Sequence, residues 1–280
     1  MMNMNLKRNR IAIGWLFLTL LFLVPSVATA AVTIATNSGD AVENTGAITF
    51  TITCDAGEAN SEDITVAYSF SGTATGGDAT TGDYDATTTS VVISSGTSST
   101  TISVPINDDT VVEQNESVTV TLVSYVGATA GFNSISGQSQ TSYITNDDTA
   151  SFSFVSATAS GSEAGGSASL NVQLDSDLAP GVTATAYYTT SNGTAVGGTD
   201  YPTVAAPAMA VDFTGVAAGT TASFSVAISD DLVVETDETF SVNLTDSTGT
   251  ANFGAATVTI TSDDTASFSF VSATASGSEA

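Results

Sequence analysis

Histidine is absent from this 280-residue chain, and Lys and Arg together number three, at Lys7, Arg8 and Arg10. Past residue 10 no side chain is cationic, whereas 29 Asp and Glu, the first of them Asp40, give a formal net charge of −26. Nucleic-acid binding is excluded by that balance, because it rests on Lys and Arg contacts to phosphate, and anionic membrane surfaces are repelled likewise. The same lack removes general-base His, Schiff-base Lys, phosphate-clamping Arg and His-based metal ligation. The one cysteine, Cys54, allows no intrachain disulfide, zinc ribbon or thiol redox pair. It is read as an incidental thiol near a strand end, out of phase with Ile48, Phe50 and Ile52. What remains is oxygen chemistry.

The three cations precede an uncharged run from Ile11 to Val24, then Pro25 and the small-residue triplet Ala28-Thr29-Ala30. This is the order of a secretory signal, expected at residues 1–30 and cleaved after Ala30. The apolar run is short for a membrane span of about 20 residues. The remainder is therefore expected outside the cytoplasm, secreted or on the cell surface, with no membrane insertion after cleavage. Trp15, the only tryptophan, falls in the signal.

Residues 147–164 read DDTASFSFVSATASGSEA, and residues 263–280 read the same. Other landmarks recur at offsets from 116 to 122: Gly72-Thr73-Ala74 returns as Gly193-Thr194-Ala195, Asp83-Tyr84 as Asp200-Tyr201, Asp108-Asp109 as Asp230-Asp231, and Glu113 with Glu116 as Glu235 with Glu238. A period of this size is a whole domain with its own core. The chain divides into repeat one at 31–148, repeat two at 149–264 and the start of a third repeat at 265–280.

Within each repeat the apolar residues alternate, the two-residue period of a half-buried strand. Repeat one shows it at Ile48/Phe50/Ile52, Ile64/Val66/Tyr68/Phe70, Ile102/Val104/Ile106 and Val118/Val120/Leu122. Repeat two shows it at Leu170/Val172/Leu174, Val182/Ala184/Ala186/Tyr188, Phe224/Val226/Ile228 and Phe240/Val242/Leu244. Thr, Ser and Asn fill the intervening positions, and Gly, Asp, Asn and Ser separate the runs. The fold class is all-β, with tandem antiparallel β-sandwiches.

Many of the acids stand at strand ends and recur between the repeats. In repeat one these are Glu43, Asp83, Asp108, Asp109, Glu113, Glu116, Asp147 and Asp148; in repeat two, Glu163, Asp200, Asp230, Asp231, Glu235, Glu238, Asp263 and Asp264. Two unit charges about 5 Å apart repel by roughly 3 kcal/mol at an effective dielectric near 20. With no Lys or Arg to offset this, protons or metal ions must. Ca²⁺ accepts 6 to 8 carboxylate and carbonyl oxygens in flexible geometry and is the expected cofactor. Asp and Asn also favour turns through local hydrogen bonds, but recurrence at eight positions outweighs that reading. The carboxylate pairs would also suit glycoside hydrolysis, yet a cluster present in each copy fits ion binding better than a single active site, so no enzyme is expected. Gly76-Gly77-Asp78 is read as an ordinary loop.

An early Glu, G-T-A, x-D-Y, a D-D-x-x-x-E-x-x-E segment before an F-x-V-x-L strand and a closing D-D pair together resemble the Calx-beta domain. That family is named for the regulatory domains of sodium/calcium exchangers and occurs in large extracellular and bacterial surface proteins. The resemblance implies an immunoglobulin-like sandwich of seven strands with calcium bound at one pole by the acids named above. Repeat one departs from the pattern in a four-residue insertion before Asp83-Tyr84 and in Val118, which stands where the aromatic is expected. The resulting expectation is a secreted or surface structural protein, an adhesive or spacer array stiffened by calcium at its junctions, with calcium ions and surface or matrix components as partners. The alternative is a set of non-catalytic repeats belonging to a larger extracellular protein.

Overall fold

The computed structural model describes residues 32–36, 39–54, 62–127, 135, 138–269, 271, 274 and 277. The expected signal lies outside the described residues, as does part of the third-repeat segment. No helix among the described residues is long and apolar enough to cross a membrane.

Repeat one carries β1 (Val32–Thr36), β2 (Ala41–Val42), β3 (Ala47–Cys54), β4 (Ile64–Gly72), β5 (Gly76–Gly77), β6 (Tyr84–Asp85), β7 (Ser90–Ile93), β8 (Ser99–Pro105), β9 (Val111–Val112), β10 (Glu116–Val126) and β11 (Ser139–Thr145). Repeat two carries β12 (Phe152–Phe154), β13 (Thr158–Ser162), β14 (Ser167–Leu174), β15 (Asp177–Leu178), β16 (Thr183–Asn192), β17 (Ala208–Thr214), β18 (Thr221–Ala227), β19 (Glu238–Thr245) and β20 (Ala255–Thr261). A three-stranded sheet, β1-β3-β8, faces a five-stranded one, β2-β11-β10-β4-β7; repeat two repeats the plan as β12-β14-β18 and β13-β20-β19-β16-β17. With the split first strand counted once, each sandwich has the seven principal strands expected.

Within the two main sheets of each sandwich, one detail departs from a purely antiparallel arrangement. The first strand changes sheets, so β2 runs parallel to β11 and β13 parallel to β20. After the crossed segment, a short 3-10 turn in each repeat, Glu43–Thr45 and Glu163–Gly165, leads into the next strand. These turns set a Glu at the end of each sandwich.

The alternating apolar residues point inward as expected. Ile48, Phe50 and Ile52 of β3 meet Val118, Val120 and Leu122 of β10 in one core; Leu170, Val172 and Leu174 of β14 meet Phe240, Val242 and Leu244 of β19 in the other. Burying each such side chain stabilises by about 1.5–3 kcal/mol, and no disulfide supplements it. Cys54 corrects its expected placement. It shares the inward phase of Ile48, Phe50 and Ile52 and is buried at the end of β3.

The recurring G-T-A has a steric origin. A Cβ on Gly72 would sit 2.0 Å from the Ser117 carbonyl oxygen, and one on Gly193 would sit 2.4 Å from that of Thr239. The next residue locks the approach: Ser117 N–H donates to the Thr73 hydroxyl, and Thr239 N–H to that of Thr194, both at 2.8 Å. Ala74 and Ala195 then enter their cores. The x-D-Y tyrosines are buried too. Tyr201 stacks on Phe240 with centroids 4.0 Å apart, whereas Tyr84, lacking an aromatic at Val118, meets Phe70 edge-on at 5.3 Å. The insertion before Asp83 is pinned by Asn107, whose amide donates to the carbonyls of Asp78, Thr81 and Gly82. Asp78 itself accepts from Thr80 and Thr81, the bonding of an ordinary turn.

Candidate metal centre

Four pieces of chain meet at one end of the first sandwich: the 3-10 turn after β2, the segment entering β6, the loop between β8 and β10, and the segment after β11. They bring Glu43, Asp109 and Asp148 into one group and Asp83, Glu113 and Glu116 into another, with ligand oxygens in each group within 4.8 Å of one another. The second sandwich gathers Asp200, Glu235 and Glu238 in the same way. Glu163, Asp231 and Asp264, the counterparts of the first group, are less tightly drawn together. They still lie close enough for burial and mutual repulsion to raise the pKa of Glu163. Burial first, and then neighbouring acids that include Asp108 and Asp230 respectively, raise Asp148 and Asp264.

Backbone hydrogen bonds aim several of these carboxylates. Asp109 accepts the Val111 N–H and Asp231 the Val233 N–H, both at 2.7 Å. Asp83 accepts the N–H of Thr75, and Asp200 that of Val196. Asp147 accepts the Asn44 side-chain amide, and Asp263 the Ala164 N–H. Each of these six acids thus has one oxygen held by the fold.

Four oxygens on other acids of these poles have no such partner. Glu43 Oε2, Asp148 Oδ2, Glu163 Oε2 and Asp264 Oδ2 are buried without a hydrogen-bond partner, and they occupy matching positions in the two repeats. An unsatisfied buried polar atom costs about 1–3 kcal/mol, and more when charged. Burial, then the charges of Glu113, Asp109, Asp148 and Asp147, push Glu43 up to about 7. Burial, then a shared hydrogen bond with Asp83, push Glu116 up to about 7, and Glu238 is raised against Asp200 in the same manner. Glu113 is raised as well, chiefly by burial. Without an ion, such a pole relieves its repulsion by holding protons.

The donor set fits a hard divalent cation. It offers only oxygens, mostly carboxylate, with no imidazole or thiolate. Orphaned oxygens at matching sites are the observation that makes the fit specific.

Sequence reading did not foresee the part played by Asn146 and Ser262, which precede the closing acid pairs. Asn146 Oδ1 accepts the Glu113 N–H at 3.1 Å while its amide donates to the Asp148 carbonyl, so it ties the acidic loop to the closing segment. Ser262 Oγ accepts from the Glu235 N–H at 3.5 Å, a longer tie. The residue preceding each closing Asp pair was the available signal.

The family model for the Calx-beta domain matches residues 28–149 and 145–264. Among solved structures, the apo-form Calx CBD1 domain is 25% identical, with 41% of this chain and 98% of that one covered and a TM-score of 0.33. CBD12 from CALX1.2 is 19% identical over 81% of this chain and 99% of that one, also at a TM-score of 0.33. The calcium binding domain CBD12 of CALX1.1 is 20% identical, covering 76% and 79%, with a TM-score of 0.33. These superpositions are loose, and the fold rests on the strands themselves. Comparison with curated proteins gives no match.

Proposed function

The chain belongs to the Calx-beta domain family, and from that membership and the chemistry of its acidic poles we propose that both sandwiches are calcium-binding domains. The matching orphaned oxygens of Glu43 and Glu163, and of Asp148 and Asp264, carry the proposal. In repeat one, Glu43, Asp109 and Asp148 would hold one ion and Asp83, Glu113 and Glu116 another. In repeat two, Asp200, Glu235 and Glu238 would hold one, and Glu163, Asp231 and Asp264 a second. Asp108, Asp147, Asp230 and Asp263 stand close by and add negative potential. The bound ion supplies charge neutralisation and cross-links segments otherwise driven apart.

The role that follows is structural. The Asp148 group lies at the connection to repeat two, and Thr149 and Ala150 alone separate it from the segment leading into β12. Ions there fix the angle between sandwiches, as suits a spacer or adhesive array on a cell surface or in secretion, where calcium is abundant. Solution scattering and melting, with calcium and with chelator, test this. The chelated protein should scatter with a broader spread of lengths and melt lower. At 100 times Kd each site adds about 2.7 kcal/mol. Superimposable scattering profiles together with equal melting temperatures would rule out the stiffening role.

A further inference from the structure

The acidic loop of repeat one does more than carry ligands. Its β9 pairs in parallel with β15 of repeat two, Val111 opposite Asp177 and Val112 opposite Leu178. Ala179 N–H donates to the Val112 carbonyl at 3.1 Å, and the Val112 side chain packs against the core of repeat two beside Ala150. The two sandwiches are thus joined by strand pairing and apolar contact, apart from any ion.

Repeat two presents the same loop. Asp231-Leu232-Val233-Val234-Glu235 matches Asp109-Thr110-Val111-Val112-Glu113 except for Leu232 in place of Thr110, down to the 2.7 Å bond from the Val233 N–H to Asp231. Here the apolar residues face water, Leu232 at 90% exposure and Val233 and Val234 at 54% each. Residues 263–280 are identical in sequence to 147–164, the segment that leaves the first pole. Phe152 in the earlier copy is 5% exposed, packed with Phe213 and Phe253, whereas Phe268 in the later one is 96% exposed. Val233, Val234 and Phe268 are bare where Val111, Val112 and Phe152 are wholly or partly covered, and at the first pole the cover is a sandwich.

The geometry points to a docking seat at Val233 and Val234 for another sandwich of the second repeat's kind, which pairs an edge like β15 with these two residues. One joint then serves every step, so successive sandwiches stand in the same relation as the first two. This seat does not rest on calcium, since backbone pairing and apolar burial supply it.

The test extends the chain after Ala280 with a further copy of residues 165–264, which completes a sandwich identical in sequence to residues 149–264. Amide exchange at 230–238 is followed in the original and extended chains, with calcium and with chelator. Exchange there should slow by about tenfold or more in the extended chain, toward the rate of 108–116 in the same molecule, under both conditions. Val234→Asp, and separately Val233→Asp, should abolish the gain while leaving the melting of the unextended chain unchanged. A folded third sandwich with 230–238 exchanging as fast as before overturns the seat, and so does a third copy that stays unfolded. Loss of the calcium response alone would count against the ion sites and leave the seat standing.

Discussion

Glu43 is buried at the rim of a sandwich, faces other acids and leaves one oxygen unbonded. Its carboxyl is raised from 4.5 to about 7, so between those values the folded protein keeps a proton that the unfolded chain has released. Glu116 behaves alike. Stability from this source is full below about pH 4.5 and is lost as pH rises through about 7. The melting temperature in chelator should therefore fall between pH 5 and pH 8. In saturating calcium it should hold or rise, because the ion binds the deprotonated carboxylates. Glu43→Gln sharpens the contrast: by removing a buried charge it should raise melting in chelator at pH 8, by about 5 °C if about 1 kcal/mol is recovered, and lower it in calcium. A variant that melts below the parent in both conditions would show that Glu43 is a packing residue.

At the scale of elements, the pole depends on how closely the strands approach. Gly193 passes the Thr239 carbonyl at a distance no Cβ can share, and Glu238 begins the same strand, β19. Gly193→Ala should destabilise repeat two by about 2 kcal/mol or more, seen as an earlier transition on heating while repeat one melts as before. Unchanged melting would show that β16 and β19 can separate there freely. The G-T-A signature was legible in the sequence because a steric demand fixes a residue type at a fixed place. The strands were legible for the same reason, since a two-residue period has one inward face. Acids converging from four distant segments were legible through their recurrence, although no single Asp revealed its neighbours. The parallel first strand left no mark, because Ala41-Val42 and Thr158–Ser162 look alike whichever way their partner runs. Nor did the tie made by Asn146, which depends on where the Glu113 amide falls in space. Cys54 could have been placed, since its number shares parity with Ile48, Phe50 and Ile52.

At the scale of the whole molecule, the two poles resemble each other in composition and differ in closure. The pole whose loop pairs with a neighbour draws Glu43, Asp109 and Asp148 within 4.8 Å, and the loop that does so carries the joint. The β9–β15 pairing was not readable beforehand, because two valines inside an acidic run resemble spacing between ligands. A chain with no cation beyond its tenth residue leaves its gathered carboxylates only protons or ions taken from outside. Titration calorimetry of the calcium-free protein at neutral pH addresses that claim most directly. The protein should take up calcium saturably with more than one ion per sandwich, and Glu116→Gln/Glu238→Gln, which alters one acid group in each repeat, should lose part of that uptake. Heat no greater than dilution in the parent, or identical isotherms for parent and variant, would contradict it.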